Sequence, residues 1–466
     1  MRVLMIATNQ EHSPYAVVPL GAAAVAAAVL RAGHTLAFLD LCFARNYKAL
    51  IKKTLREFAP EIIGLSIRNL DNCSYIGSKI YYKGIKKIVE TIQAYSAAPL
   101  VMGGGAVSVA PLELAGYLDI PYAFVGEGER GFSQFIDAAA GGRSLASIAG
   151  LLRHEDGQYQ FNAPDFACVL DDLPFPLHDR IDYRRYYRHG ASVGIQMKRG
   201  CPFRCIYCNY RTIEGSKSRY KSAGRCVDEM EMIIKDTGCR DFFFTDSVFN
   251  WPPEHALDVC EEIIRRGLTM HWMAYCNPCG LNDEMARAFA ASGCAGIELG
   301  LDVVTEKMLT SLNKGFTQHD IRRAQDALTK VGIPFAVFLL FGGPGDSIAD
   351  IEETQAFLQG PAKANAIFAS LGMRIYRDAP LYDIALREGV ITPHTDLLDP
   401  VYYVSSSLGD DAASRLDRIA RRDPVWSTPT DWNSLLVQVI QKYCARFRVI
   451  PAWRDIINYG KYLRRQ

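Results

Sequence analysis

The sequence predicts an α/β protein: a doubly wound, Rossmann-like parallel sheet, then a second run of parallel βα units, then a helical C-terminal region. Three observations carry this. From residue 1 to about 140, short apolar runs alternate with helical periodicity, the pattern of a parallel sheet with crossover helices. The alternation stops over 143–190, where Asp156-Gly157 marks a turn and the prolines of Asp171-Asp172-Leu173-Pro174-Phe175-Pro176 bar a continuing helix. It resumes over 191–382 with longer helices, in six units.

In the first region (1–142) strands are expected at 3–7, 35–39, 62–67, 100–102 and 123–125. Helices are expected at 20–32, 46–58, 77–95, 111–118 and 130–140. Ligands of such sheets bind in loops at the carboxyl ends of strands. Those loops carry Gly64-Leu65-Ser66, Arg68-Asn69-Leu70-Asp71-Asn72, Gly103-Gly104-Gly105 and Gly126-Glu127-Gly128-Glu129. Singly, each glycine group reads as a tight strand-to-helix turn. The 143–190 segment reads as a linker with a short hairpin around Gly157. The second region is expected to place strands at 193–197, 241–245, 270–274, 296–301, 334–341 and 367–375. Helices follow at 226–238, 253–267, 282–292, 304–311, 317–331 and 347–360. Residues 383–466 read as a helical cap with Trp426, Trp432 and Trp453 and a basic end at Lys461, Arg464 and Arg465. That charge run reads as a solvated face.

The stretch the rest serves is Met197 to Tyr210. Cys201, Cys205 and Cys208 stand at C-x3-C-x2-C in a tight loop after an apolar run. Zinc sites use four ligands, commonly in C-x2-C or H-x3-H pairs, and no fourth partner stands in register; buried free thiols are the other plain reading. A cubane iron–sulfur cluster held by only three cysteines leaves one iron open to a chelating small molecule.

This run, with Tyr207 before its last cysteine, resembles the signature of the radical S-adenosylmethionine (SAM) enzymes. The resemblance implies a [4Fe-4S] cluster on Cys201, Cys205 and Cys208, SAM on the open iron, and a partial (β/α)6 barrel with chemistry at the C-terminal strand ends. It also implies SAM contacts. Tyr207 sits in the loop and Asp246 follows the second strand, where the family holds the SAM ammonium. Glu298 lies within the fourth, Gly342 and Gly343 end the fifth beside adenine, and Arg374 closes the sixth. An acid inside an apolar run, as Glu298 is, costs free energy without a partner.

The glycine loops of the first region together resemble the cobalamin-binding domain found ahead of many radical SAM cores. That likeness assigns the cofactor to Ser66, Arg68, Asn69, Gly103, Gly104, Gly105, Gly126 and Glu127. One departure stands out: the D-x-H-x-x-G motif, whose histidine ligates cobalt, is absent, and His12 has no such neighbours. Cobalt without a protein histidine is implied. Cys276-Asn277-Pro278-Cys279 is a second C-x2-C with no companion pair, and the other cysteines, Cys444 included, read as small apolar residues.

Composition bounds the remainder. Lys+Arg 52 against Asp+Glu 51 gives no electrostatic footprint for nucleic acid. The Ala-rich run from Leu20 to Leu30 falls short of a membrane span. Thirteen cysteines without disulfide-framework spacing point to a reducing, cytoplasmic setting. The resemblance implies an enzyme, in first place a cobalamin-dependent C-methyltransferase acting on an unactivated carbon of a small molecule. A 5'-deoxyadenosyl radical and methylcobalamin would serve it, with an external flavodoxin- or ferredoxin-type electron donor. The alternative keeps both cofactors but cyclises or rearranges its substrate. A methylthiotransferase would need three further cluster cysteines in the first region, which offers Cys42 and Cys73. A non-catalytic cobalamin carrier has no use for Asp246 and Glu298.

Overall fold

The computed structural model describes residues 1–13 and 15–432, together with 439, 443, 450, 451 and 453. Cys444, Lys461, Arg464 and Arg465, and with them most of the expected cap beyond residue 432, lie outside the described residues.

The first sheet holds seven strands in the order β2-β1-β3-β4-β5-β6-β7. Five are parallel: β1 (Arg2–Ala7), β2 (Thr35–Asp40), β3 (Ile62–Ser66), β4 (Leu100–Gly103) and β5 (Tyr122–Phe124). β6 (Leu151–Glu155) and β7 (Gln158–Phe161) add an antiparallel hairpin at one edge, drawn from the segment read as linker. Its turn residues Asp156 and Gly157 both take positive φ, 50° and 77°, the geometry that follows strand twist.

Alternate side chains of β1 serve two cores because successive residues face opposite ways. Val3, Met5 and Ala7 meet α1 (Leu20–Arg31). Leu4 and Ile6 face α2 (Tyr47–Phe58) and α3 (Tyr82–Gln93). α4 (Gly105–Val109) and α5 (Pro111–Leu118) join the second face, and α6 (Gly128–Gly141) joins α1 on the first. In α1 six of the seven buried residues are alanine, so the helix lies close on the sheet; that contact accounts for the long apolar run.

The second sheet is parallel throughout, in the order β18-β15-β14-β13-β12-β11-β8. Along the chain, α7 (Tyr183–Arg188) leads into β8 (Val193–Ile195). A small hairpin follows, β9 (Lys198–Arg199) paired with β10 (Arg219–Tyr220), with α8 (Tyr210–Glu214) between them. Then come α9 (Ala223–Thr237), β11 (Asp241–Phe244), α10 (Pro253–Arg265), β12 (His271–Cys276) and α11 (Asp283–Ala291). β13 (Cys294–Asp302), α12 (Glu306–Ser311), α13 (Gln318–Lys330), β14 (Phe335–Phe341), α14 (Ile348–Leu358) and β15 (Ala366–Leu371) complete the six units. Side-chain caps fix the helix starts: Thr317 with Asp320 and Ser347 with Asp350 form capping boxes. The edge strands β8 and β18 do not pair with each other, so the barrel is partial.

Two short features break the helical reading of the C-terminal region. β16 (Met373–Arg374) pairs antiparallel with β17 (Tyr402–Tyr403), and β18 (Trp426–Ser427) joins the barrel sheet beside β15. Two-residue strands carry no periodicity, and the buried ring of Trp426 rather than any pattern holds β18 in place. Inside the barrel, Met273, Ala336 and Ala366 form a core with Trp453, against which Phe243, Phe338, Phe368 and Ile450 pack. A Cβ at Gly296 would stand 3.1 Å from Pro451 and 3.3 Å from Trp453.

Candidate functional site

The three-cysteine loop runs from β9 to α8 and is held from both ends. Gly200 has φ +86°, and a Cβ there would lie 2.1 Å from the Lys217 carbonyl oxygen, so only glycine can turn the chain into the loop. The Cys201 amide donates to Gly215 O at 3.2 Å and the Cys208 amide to Cys205 O at 3.2 Å. From the β13–α13 connection, Leu312 O accepts the Ile206 amide at 3.2 Å and the Asn313 side chain donates to Arg204 O at 2.9 Å. Cys201 is buried; Cys205 and Cys208 are half-buried and influence each other's charge. Burial pushes the Cys208 thiol up to about 12 and raises Cys205, with the Lys314 ammonium working the other way. Neutral thiols that lose their protons on metal binding fit a metal-dependent loop. A cubane cluster binds each thiolate through a different iron, so three thiols grouped in one loop fit three of its four irons.

The Tyr207 hydroxyl donates to Asp302, and Lys314 donates to the same carboxylate while its Nζ stands 3.3 Å from Tyr207 Oη. Burial and the Asp302 charge push the Tyr207 phenol well above its ordinary range. Sequence reasoning missed this trio. Asp302 ends β13 at φ +61°, twelve residues before Lys314, and no local pattern links them.

Asp246 and Glu298 are both buried, and burial pushes each carboxyl up to about 7. Asp246 Oδ1 accepts the amides of Met197 at 3.1 Å and Lys198 at 3.0 Å, tying the end of β11 to the start of the cluster loop. Its Oδ2 is buried without a partner, a place for a cationic donor. Glu298 faces the Tyr275 hydroxyl, and its charge, then burial, drive that phenol well above its ordinary value. Tyr15 and Tyr210 also bear on Tyr275, so tyrosines gather around this acid. Gly342 has φ +99° and donates to Asp346 at 2.7 Å; a Cβ at Gly343 would meet Leu312 at 2.7 Å. The positive φ of Gly342 already calls for glycine, whereas at Gly343 a Cβ would meet only the movable ends of Leu312 and Met373. Cys276 is buried in the core between sheet and helices, not turned to the barrel interior.

Arg374 is fully engaged inside the protein. Its Nε donates to Asp71 at 3.0 Å, Nη1 to Ile375 O at 3.1 Å and Nη2 to Leu397 O at 2.8 Å. The buried Asp71–Arg374 pair ties the loop after β3 to the end of the barrel sheet.

At the carboxyl ends of β3, β4 and β5 a cavity of about 190 Å³ opens. Ser66, Gly103, Gly104, Gly126 and Glu127 line it with apolar Met5, Val25 and Phe132. Its far wall, Gln196, Arg199, Ile213 and Glu214, comes from the segments flanking the cysteine loop. A Cβ at Gly103 would make only ordinary contact, 3.8 Å from Phe124, so this wall is open by lack of a side chain. Gly104 differs: at φ +108° its Cβ would sit 2.5 Å from the Ile67 carbonyl oxygen, so the turn itself demands glycine. Gly105 likewise approaches Arg68 O. Arg68 and Asn69 lie outside the lining; burial raises the Tyr210 phenol, and exposed Arg68 is near enough for its charge to oppose that rise in part. Cys208 acts on the same phenol, which places Tyr210 within reach of both the Arg68 loop and the cysteine loop. Glu127, on the cavity wall, is paired with Arg219 and Arg199. His12 is held by the Cys42 carbonyl, 2.6 Å from Nε2, and its ring lies tilted against Phe43, centroids 5.0 Å apart.

Residues 195–358 match the family model of the radical SAM superfamily, and residues 9–136 match that of the B12 binding domain. The chain belongs to the radical SAM enzymes with a B12-binding domain. Among curated proteins it resembles an uncharacterized methyltransferase of Pyrococcus horikoshii, 27% identical over 77% of either chain. It is 26% identical to the tryptophan 2-C-methyltransferase of Streptomyces laurentii, over 75% of this chain and 69% of that protein. Among solved structures, the radical SAM methyltransferase TsrM from Kitasatospora setae, with cobalamin and a [4Fe-4S] cluster bound, superposes with a TM-score of 0.86. At 22% identity, with both chains wholly covered, that is a likeness of fold. No helix among the described residues of this B12-binding radical SAM enzyme is long and apolar enough to cross a membrane.

Proposed function

We propose that the enzyme is a cobalamin-dependent radical SAM methyltransferase that places a methyl group on carbon in a small molecule. One observation carries this reading: the glycine-walled cavity of the first sheet is closed by Gln196, Arg199 and Glu214, which flank the cysteine loop of the second. Two cofactor sites so joined serve a reaction that needs both at once. The relatives aligned over three quarters of the chain, methyltransferases by name, support it.

When bound, the cluster and SAM supply a hydrogen-abstracting radical, and cobalamin carries the methyl group. Cys201, Cys205 and Cys208 would hold three irons of the cluster. Asp246 keeps the loop entry in place with one oxygen and offers the other to the SAM ammonium. Tyr207, fixed by Asp302 and Lys314, and the backbone of Gly342 and Gly343 shape the SAM pocket. Glu298 and Tyr275 present a hydrogen-bonding pair beside the apolar core of Met273, Ala336 and Ala366. Ser66, Gly103, Gly104 and Gly126 would bound the cobalamin tail, with Arg68, Asn69 and Gly105 toward the corrin. Arg374, held by Asp71, acts on the domain contact rather than on SAM. The cluster would take its electron from an external flavodoxin- or ferredoxin-type donor, and a reducing, cytoplasmic setting suits the twelve described cysteines, all free.

Anaerobic protein carrying both cofactors, given reductant, candidate extracts and SAM with a deuterated methyl group, should yield a product bearing that methyl. A cyclised or rearranged product without label would replace methyl transfer by the second chemistry. No SAM turnover under these conditions would overturn both.

A further inference from the structure

The hairpin that carries Cys201 contains an electrostatic conflict that its own residues resolve only in part: the Glu214 charge acts on Arg199, and its carbonyl accepts from Arg219 at 2.9 Å. Arg199 on β9 and Arg219 on β10 are register partners, so two guanidinium side chains stand opposite each other. Like charges directly across a strand pair are destabilising. The rest of the resolution comes from the first sheet's domain, from Glu127 in the loop after β5 and Glu129 in the first turn of α6. Glu129 grips Arg199 at 2.5 and 3.3 Å, Glu127 accepts from Arg219 at 3.0 Å, and the same Glu127 stands 3.5 Å from Arg199. All four side chains are at most 14% exposed. Burial opposes the Glu129 charge, yet Arg199 holds its carboxyl below the ordinary range.

The network reaches both cofactor sites. Gly126, Glu127 and Glu129 wall the cavity on one side. On the other, Arg199 Nε donates to Gln196 at 2.9 Å, and the next residue, Gly200, donates its amide to Glu214 at 3.2 Å just before Cys201. Buried ion pairs are weak devices for stability, because desolvation offsets most of their attraction; their better attested use is to fix one register.

We infer that Glu127, Glu129, Arg199 and Arg219 are positioning residues that set the placement of the cluster relative to the cobalamin. The hairpin bearing Cys201 reaches its proper seat only when docked on the cobalamin domain's loop. This rests on the proposed function, since it needs both cofactors in one chain. It assigns Glu127 to the cluster hairpin rather than to cobalamin recognition.

The test reads magnetic interaction, not turnover. Full-length protein holding both cofactors is reduced anaerobically so that cobalt(II) and the one-electron-reduced cluster are both paramagnetic. Pulsed electron paramagnetic resonance then measures the coupling between them. The wild type should show one narrow distribution of couplings. Glu129→Gln and the milder Arg199→Lys, which keeps the charge but loses the two-pronged grip, should retain full iron and cobalt while the distribution broadens. The double exchange Glu129→Arg with Arg199→Glu should narrow it again. Unchanged couplings in both single variants would overturn the inference. So would loss of either cofactor from both, which would make the network a folding element only. Wild-type protein that takes up a cluster but no cobalamin would overturn the proposed function as well.

Discussion

The cavity of the first sheet and the mouth of the barrel are built by opposite means. The first is a space left by missing side chains, with Gly103 open to it and apolar Met5, Val25 and Phe132 around it. The second is crowded with charge: Asp246 and Glu298 both sit near neutrality in titration, and Asp302, Lys314 and Tyr207 share one carboxylate. Recognition by shape tolerates a change of pH and fails on added volume. Recognition by charge tolerates isosteric volume and fails on lost charge. Substitutions at the two places should therefore fail in different ways.

The largest effect is expected at the loop that both regions serve. Replacing Cys201, Cys205 and Cys208 together by alanine should remove all bound iron and sulfide while cobalamin uptake persists, read by metal analysis and absorbance. Retained iron would break the ligand assignment. Next is Gly103→Leu, which should fill the tail cavity and abolish cobalamin binding while the cluster stays, with the same outcome at any pH. Gly104→Leu is a poorer probe, because its Cβ strikes the Ile67 backbone and strains the turn whatever occupies the cavity.

Asp246→Asn tests the charged region. Loss of one hydrogen bond to a charged group is worth ~1.5–3 kcal/mol, so SAM affinity should fall roughly tenfold to a hundredfold. The wild type should also bind SAM more tightly as pH rises through about 7, where this carboxyl ionises, and the variant should lose that dependence. The smallest effect is on stability. Glu298 has its folded pKa raised to about 7, above the unfolded value, so its protonated form is favoured in the fold. Its contribution is full below the unfolded pKa and lost as pH rises through about 7, a loss of at most about 3 kcal/mol. Denaturation of the cofactor-free protein should show Glu298→Gln without that decline; parallel pH profiles would demote the buried charge.

The two regions also differ in how much the sequence discloses. Short apolar runs alternating with helical periodicity locate every strand of the six barrel units and the five parallel strands of the first sheet, because such strands are buried on both faces between helices or core. The cysteine spacing and the glycine loops are local and legible. What joins the regions is not. The Arg199–Glu129 and Arg374–Asp71 pairs span 70 and 303 residues, and a guanidinium reads alike on paper whether it meets a cofactor or a distant acid. Arg374 looks like a SAM contact by its strand position, and only the fold shows its donors directed to Asp71, Ile375 and Leu397. β18 escapes notice because two residues cannot show a period.

The central claim is that both cofactor sites belong to one chamber, and a single turnover tests it most directly. Protein loaded with cluster and cobalamin reduced to cobalt(I), whose electron pair forms the bond to the methyl group as S-adenosylhomocysteine leaves, is mixed anaerobically with SAM carrying a deuterated methyl group, with no substrate added, and the protein-bound cobalamin is examined by mass spectrometry. The account predicts that the label appears on cobalamin, in step with S-adenosylhomocysteine, and that neither appears in the triple cysteine variant. Cobalamin that binds in full yet acquires no label from SAM would contradict it.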